Sequence, residues 1–324
     1  MEIILGLFSV GTIILLANWV EKQENDWFHR FYEWMLLAFN MPAFLLGVIL
    51  SIVPSQRLTD VMQLDLDFTS LGAWLIVMAI WGSLAALPGF RRFLSRWSKT
   101  FNPNSAVHAT ALALTGYLIG NTLATLSQGG LEGLAMTAEE ASLLDVLASQ
   151  FLFAALALLG VGIFIRRKGD SLRQRLGLER PTRSQLLLGL SAILALVVAQ
   201  AVAGYAWTLI DPQQAELLDE ISATLLGDID SVLEWFLLAL ATGFGEELLF
   251  RGALQPVFGL TATSLIFAIA HVQYGITPVT LFVFFLALVL GLIRHRTNTT
   301  VAIFVHFGYN FTLGLLALLA VALQ

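Results

Sequence analysis

The 324-residue sequence contains no cysteine and little charge, and each shortage excludes a class of protein. Without cysteine there is no disulfide framework, no thiolate zinc site and no cysteine nucleophile. Charged residues make up 12% of the chain, whereas soluble domains average about 25%. The formal net charge of -6 and the dense aliphatic residues exclude disorder and a nucleic-acid partner. Because 57% of the residues are hydrophobic, we expect a polytopic membrane protein in a lipid bilayer.

Long hydrophobic runs are what the sequence has instead, and a helix needs about 20 mostly apolar residues to cross the bilayer. The runs are 3–20, 34–53, 71–87, 105–126, 147–165, 185–210, 232–250, 261–272, 278–293 and 300–323. The eighth and ninth are short for full spans. No basic region precedes the first run, so we do not expect a cleavable signal peptide. The predicted fold is all-α: a transmembrane helical bundle of about ten spans, two of them short.

Basic residues predict the orientation, because lysine and arginine near span ends stay in the cytoplasm. All of them except Arg57 follow odd-numbered runs. The densest group follows the fifth run and comprises Arg166, Arg167, Lys168, Arg173, Arg175, Arg180 and Arg183. We therefore predict cytoplasmic odd-numbered loops and three regions. These are an N-terminal transmembrane region of unknown role (1–165), a basic cytoplasmic loop (166–184) and a C-terminal domain (185–324).

Ionisable residues inside the apolar runs collect in the last third of the chain. Inserting a charge into hydrocarbon costs about 3 kcal/mol, so such residues are functional candidates. Glu247 and Arg251 stand four apart and can pair on one helix face; a purely structural ion pair explains these two equally well. Glu246 points about 100° away from Glu247 and escapes that pair. Its isolated carboxylate suits a general base.

His271, His306 and Asn310 lie on two later runs at a similar predicted depth. Singly, each is usually a hydrogen-bonded interior residue. At 1.5 Å per residue, however, Glu246 lies about 7 Å and both histidines about 15 Å from the cytoplasmic boundary. Run 261–272 covers only about 18 Å as helix, so the following loop begins inside a core of about 30 Å. Because irregular backbone there needs protein or water beside it, we predict a wet cavity next to His271.

The order Glu-Glu-x-x-x-Arg, Phe-x-x-x-His and His-x-x-x-Asn on successive membrane segments resembles the CAAX-protease and bacteriocin-processing family. That family of intramembrane proteases includes the eukaryotic Ras-converting enzyme and the bacterial Abi proteins. The resemblance covers about residues 185–323 and makes 185–324 an intramembrane protease domain. It implies a helical bundle with a conical cavity open toward the cytoplasm. The implied roles are water activation by Glu246 with His271, oxyanion stabilisation by His306 with Asn310, and orientation of Glu246 by Glu247 with Arg251.

The chemistry leaves a metal-dependent alternative open. A carboxylate base with imidazole and amide donors can hydrolyse a peptide in a desolvated cavity. His271, His306 and Glu246 also form a common catalytic zinc set, with Glu247 as the base. The absence of His-Glu-x-x-His slightly favours metal-independent chemistry over a divalent metal such as zinc. The absence of Gly-x-Ser-x-Gly weighs against a serine nucleophile such as Ser264.

The predicted function is therefore an intramembrane endopeptidase acting on a peptide or protein with a membrane-associated segment. The sequence leaves a prenylated CAAX protein and a bacteriocin or signalling peptide open as substrates. The alternative is a non-proteolytic scaffold or a proton-coupled transporter, because carboxylates and histidines in membranes also carry protons. Against a carrier stand the missing internal repeat and the confinement of ionisable groups to one depth.

Overall fold

The computed structural model describes residues 2–227 and 229–323, with side chains described from Ser9 onward. The described residues form helices and connecting segments, with no β-strand among them. In chain order the α-helices are α1 (Glu2–Val20), α2 (Asp26–Ile52), α3 (Ser55–Met62), α4 (Phe68–Ala86), α5 (Pro88–Leu94), α6 (Ala106–Leu126), α7 (Gly130–Thr137), α8 (Leu143–Gly160), α9 (Gly169–Leu176), α10 (Arg183–Ile210), α11 (Pro212–Leu226), α12 (Val232–Glu247), α13 (Gln255–Phe258), α14 (Leu260–Ala270), α15 (Pro278–Arg296) and α16 (Thr299–Ala322). A π-helical turn, Leu248–Leu254, joins α12 to α13, and a 3-10 turn, Val272–Tyr274, follows α14.

The predicted all-α transmembrane bundle is confirmed. Seven described helices are long and apolar enough to cross a membrane, namely α2, α4, α6, α8, α10, α15 and α16. The remaining predicted runs correspond to α1, α12 and α14. The ninth run is longer than its apolar stretch suggested, because α15 continues through Arg294 and Arg296 to reach 19 residues. Helix α14 stays short, at 11 residues.

Side-chain caps set where the two helices that carry most of the candidate site begin. Ser231 accepts a hydrogen bond from the backbone N–H of Glu234, whose carboxylate accepts from Ser231 in return, so α12 starts in a capping box. The Asn298 side chain accepts from the backbone N–H of Val301 at 3.0 Å and starts α16. These caps fix the starting residue, and therefore the register, of both helices.

The helices pack as two compact units. The first contains Met1–Met136 with Ile269–Gly275. Inside it α4 packs against α2 and α6. Helices α2 and α4 approach closely at two glycines, since a Cβ on Gly47 would lie 2.7 Å from the carbonyl oxygen of Gly72. Polar side chains join the helices internally, and the Tyr117 hydroxyl donates to the Asn40 side chain at 2.7 Å.

The second unit contains Thr137–Ala268 with Ile276–Gln324. Helix α12 packs between α8 and α16 there, and α16 also packs against α10 and α15. The predicted regional boundaries at 165 and 185 remain a prediction, although α8 and α9 lie with the C-terminal helices. An open apolar groove of about 730 Å³ lies between α10 and α15. Ala195, Ala199, Phe282 and Phe285 are among its lining residues.

Candidate active site

The Glu-Glu-x-x-x-Arg motif lies across the junction between α12 and the π turn. Glu246 and Glu247 end the α-helix, and Arg251 lies inside the π turn. The sequence predicted an uninterrupted helix through residue 250. A π-helical turn inserts extra backbone into a helix and occurs frequently at functional sites. The junction therefore changes the helical register within the segment that carries the carboxylates and the arginine.

Glu247 lies between a histidine and an arginine. Its Oε1 is 2.9 Å from His306 Nδ1, and its Oε2 is 3.2 Å from Arg251 Nε. The predicted i,i+4 ion pair is therefore present. Glu247 is 0% exposed and Arg251 1%, so this carboxylate is closed off from solvent. The contacts of Glu247 orient His306. The resemblance implied that Glu247 and Arg251 orient Glu246, and that role stays a prediction.

Phe267, from the second motif, packs against the buried Arg251 side chain. The Arg251 guanidinium lies 4.6 Å from the centre of the Phe267 ring, a distance at which a cation is attracted to the ring face. The same ring meets the His306 ring edge to face at 6.1 Å. Arg251 Nη2 also donates to the carbonyl oxygen of Ala287 at 3.3 Å. The first and third motifs thus meet around a phenylalanine of the second.

Glu246 faces a different helix from Glu247, as the 100° step predicts. Gln150 Nε2 of α8 donates to Glu246 Oε1 at 3.4 Å. A Cβ on Gly245 would lie 2.6 Å from the Gln150 carbonyl oxygen, so only glycine permits this approach of α12 to α8. Both Glu246 and Glu247 interact electrostatically with His306. Sequence reasoning missed Gln150, although a glutamine within an apolar run is a visible signal.

Asn310 contacts α12 one turn away from the carboxylates. Its Nδ2 donates to Thr242 Oγ1 at 3.0 Å, and the Thr242 hydroxyl donates in turn to the backbone carbonyl of Leu238 at 3.0 Å. An amide nitrogen carries two hydrogens, so one N–H of Asn310 remains for another acceptor. Thr242 precedes Glu246 by four residues and shares its helix face. Sequence reasoning missed Thr242 because a threonine hydroxyl usually bonds within its own helix.

Gly243 permits the contact between α12 and α16 on which these pairs depend. A Cβ at this position would lie 2.9 Å from the backbone nitrogen of Phe307, next to His306. Gly243→Val should push the helices apart and reduce both folded yield and any activity. The measurement is thermal unfolding of the purified protein. Gly204→Ala in α10 is the matched control, because nothing lies within 4 Å of a Cβ there; equal effects of the two changes would contradict this packing role.

His271 does not lie in a helix, contrary to the predicted run 261–272. Helix α14 ends at Ala270, and His271 precedes the 3-10 turn with φ -86° and ψ 65°. Its ring stacks on Tyr274 at 6.1 Å. The apolar pattern continues through Val272, so hydropathy does not mark the helix end. Irregular backbone follows α14 as predicted, whereas its depth in the membrane stays a prediction. His271 belongs to the segment Ile269–Gly275 of the first unit.

The described side chains do not form an obvious metal site. A catalytic zinc site needs three protein ligands about 2 Å from one point. Among the described residues no three His, Asp or Glu side chains are arranged to hold an ion. The set of His271, His306 and Glu246 stays a prediction, and we derive no step through a metal.

The fold and the site define a class of protein, namely an integral membrane helical bundle with a buried centre of two carboxylates, an arginine and a histidine. Residues 228–312 match the family model of Rce1-like type II CAAX prenyl endopeptidases. This part of the chain is therefore similar to the CAAX-protease and bacteriocin-processing family, and the match suggests protease activity. The match contains Glu246, Glu247, Arg251, His271, His306 and Asn310. No curated protein and no solved structure gives a significant match to the chain.

Proposed function

We propose that this protein is an intramembrane endopeptidase that hydrolyses a peptide bond with water activated by Glu246. The observation that carries the proposal is the separation of its two carboxylates. Glu247 is committed to His306 and Arg251, whereas Glu246 points toward the amide of Gln150. A carboxylate that is not held in a direct ion pair with the arginine is the better candidate to take a proton from water. One glutamate therefore serves as base and the other as a positioning residue.

In the proposed reaction Glu246 removes a proton from a water molecule whose oxygen attacks the peptide carbonyl carbon. The C–N bond then breaks, and the proton passes to the leaving amine with His271 as the transfer partner. This role for His271 rests on the family resemblance.

The negative charge on the tetrahedral intermediate needs hydrogen-bond donors already in position. Glu247 stabilises a proton on His306 Nδ1, and a protonated ring presents Nε2–H as a donor. Asn310 offers the N–H that Thr242 does not use. His306 and Asn310 are four residues apart on α16 and so lie on the same helix face. We infer that this pair binds the oxyanion, and that Arg251 balances the buried charge of Glu247.

The substrate proposed is a peptide or protein with a membrane-associated segment. A catalytic site buried in a membrane bundle is reached most directly by a substrate chain that is already bound to the bilayer. The apolar groove between α10 and α15 suits the hydrophobic part of such a chain. A prenylated CAAX protein and a bacteriocin-type or signalling peptide both have this character.

The direct test is cleavage by the purified protein in detergent or vesicles. A library of membrane-associated peptides, prenylated and unprenylated, should give defined products by mass spectrometry. Metal analysis of the same sample, together with a cleavage assay in the presence of a chelator, tests the metal-independent mechanism. Cleavage that is lost with a chelator and restored by zinc would overturn that mechanism while leaving the endopeptidase proposal in place. A complete absence of products would favour the scaffold or the transporter.

The Thr242–Asn310 contact gives a graded prediction. Asn310→Ala removes the donor itself and should lower kcat about 10²-fold, the usual loss for one oxyanion-hole donor. Thr242→Val keeps the shape of the side chain but removes the acceptor that orients Asn310, so its loss should be smaller. KM should change little in both variants. The measurement is steady-state kinetics on one cleaved peptide, and a Thr242→Val loss exceeding that of Asn310→Ala would contradict the assigned order.

A further inference from the structure

Two arginines from outside the motif donate hydrogen bonds to backbone carbonyls of the π turn. Arg175 of α9 donates from Nη1 to the Gly252 carbonyl at 2.6 Å and from Nη2 to the Ala253 carbonyl at 3.3 Å. Arg294 donates from Nε to the Arg251 carbonyl at 3.2 Å. Two guanidinium groups therefore lie on three consecutive carbonyls. Cationic side chains are favourable beside backbone carbonyl groups at helix ends and turns.

The two arginines belong to a larger positive cluster, which we call the arginine cluster: Arg166, Arg167, Arg175 and Arg294. Arg175 interacts unfavourably with each of the other three charges. Burial, followed by these neighbouring arginines, lowers the pKa of Arg175 to about 10. Glu179 supplies an opposing charge to Arg294. Arg175 and Arg294 therefore lie in a group of like charges.

The arginine cluster lies at the end of the bundle where candidate spans begin and end. Helix α10 starts at Arg183, and α15 ends at Arg296. Leu176 anchors α9 here, packed with Leu248 and Ala253 of the π turn. The cluster therefore lies beside the ends of candidate spans, where basic residues are expected to meet lipid headgroups. Arg173, Arg180 and Arg183 of the same region are exposed, as ordinary surface charges are.

The donors that remain suit a phosphate. Arg294 uses only Nε in its bond to the backbone, so its two terminal nitrogens stay available. A guanidinium presents paired N–H groups that match the spacing of phosphate oxygens. Basic pockets at the ends of membrane helices bind anionic headgroups for this reason.

From this placement we propose that the arginine cluster is a binding site for the headgroup of an anionic phospholipid, centred on Arg175 and Arg294. A lipid phosphate there neutralises the cluster and contacts the side chains that hold the carbonyls of Arg251, Gly252 and Ala253. The bound lipid therefore stabilises the π turn and, through it, the Arg251–Glu247–His306 contacts. The site goes beyond the proposed protease function and does not depend on it.

The test is retention of lipid by the full-length protein, which needs no cleavage assay. The protein is reconstituted in vesicles of equal parts phosphatidylcholine and phosphatidylglycerol, extracted in mild detergent, and its bound lipids are measured by native mass spectrometry. Wild type should retain phosphatidylglycerol. Arg294→Gln should retain it about tenfold less, the size expected for losing one charge-assisted contact. Arg294→Lys keeps the charge but not the paired N–H groups, so its retention of the lipid should lie between that of wild type and that of Arg294→Gln.

Arg173→Gln is the matched control, because it removes an equal charge from the exposed side of α9. It should retain phosphatidylglycerol as wild type does. Equal losses for Arg173→Gln and Arg294→Gln would mean general surface attraction and overturn the site. Displacement of the lipid by millimolar inorganic phosphate would identify a site for free phosphate instead. If Arg294→Gln does not fold, the test is the retention of phosphatidylglycerol by Arg294→Lys compared with Arg173→Gln. Equal retention by these two variants would overturn the site.

Discussion

Glu246→Gln should reduce peptide cleavage by about 10²- to 10⁴-fold, the contribution of a positioned general base. Glutamine has the shape of glutamate but does not take a proton from water. It can still accept the hydrogen bond from Gln150, so the contact between α12 and α8 should survive. The change removes the cost of burying a carboxylate, but it also removes a favourable interaction with Arg251. These two effects oppose each other, so the folded protein should be about as stable as wild type.

The measurement pairs cleavage rate with thermal unfolding of the same preparation. Glu220→Gln is the control for charge removal, because this exposed residue of α11 belongs to the same unit. It should leave both quantities unchanged. Normal cleavage by Glu246→Gln would remove the basis of the proposed mechanism. A large drop in the unfolding temperature would instead make Glu246 a structural residue.

Spacing along one helix made part of this site predictable. The four-residue separation of Glu247 and Arg251 predicts their ion pair, and the single-residue step predicts that Glu246 faces elsewhere. Both hold even though Arg251 lies in a π turn. The candidate residues could also be identified from the sequence, because an ionisable residue stands out within an apolar run and is costly to bury there. These inferences need only the local geometry of the chain.

Contacts between helices were not predictable in the same way. Glu247 binds His306 across 59 residues of sequence, and Gln150 reaches Glu246 across 96. Such pairs depend on where glycines let helices approach, and a sequence does not say which helix each glycine faces. The π turn was also missed, since its residues are as apolar as those of an α-helix. The end of α14 before His271 was missed for the same reason.

Glu247→Gln should be the more damaging change to the fold, because it removes the carboxylate in direct contact with the buried Arg251. Removing one partner of a buried ion pair typically costs about 3–5 kcal/mol. The Arg251 side chain is 1% exposed, and water does not replace the lost carboxylate. The variant should unfold at a clearly lower temperature and give little folded protein. Arg251→Met should be milder, since Glu247 keeps His306 as a partner.

The double variant Glu247→Gln with Arg251→Met separates folding from catalysis. It removes both charges, and neutral replacements of a buried pair are often as stable as the pair itself. The amide oxygen of the introduced glutamine can still accept from His306 Nδ1, but it does not stabilise a protonated ring. Unfolding should therefore return close to the wild-type temperature, while cleavage stays about 10²-fold below wild type because the oxyanion loses a charged donor. A double variant that is both stable and fully active would make Glu247 and Arg251 a structural ion pair alone, and the protonated histidine would then have no place in the reaction.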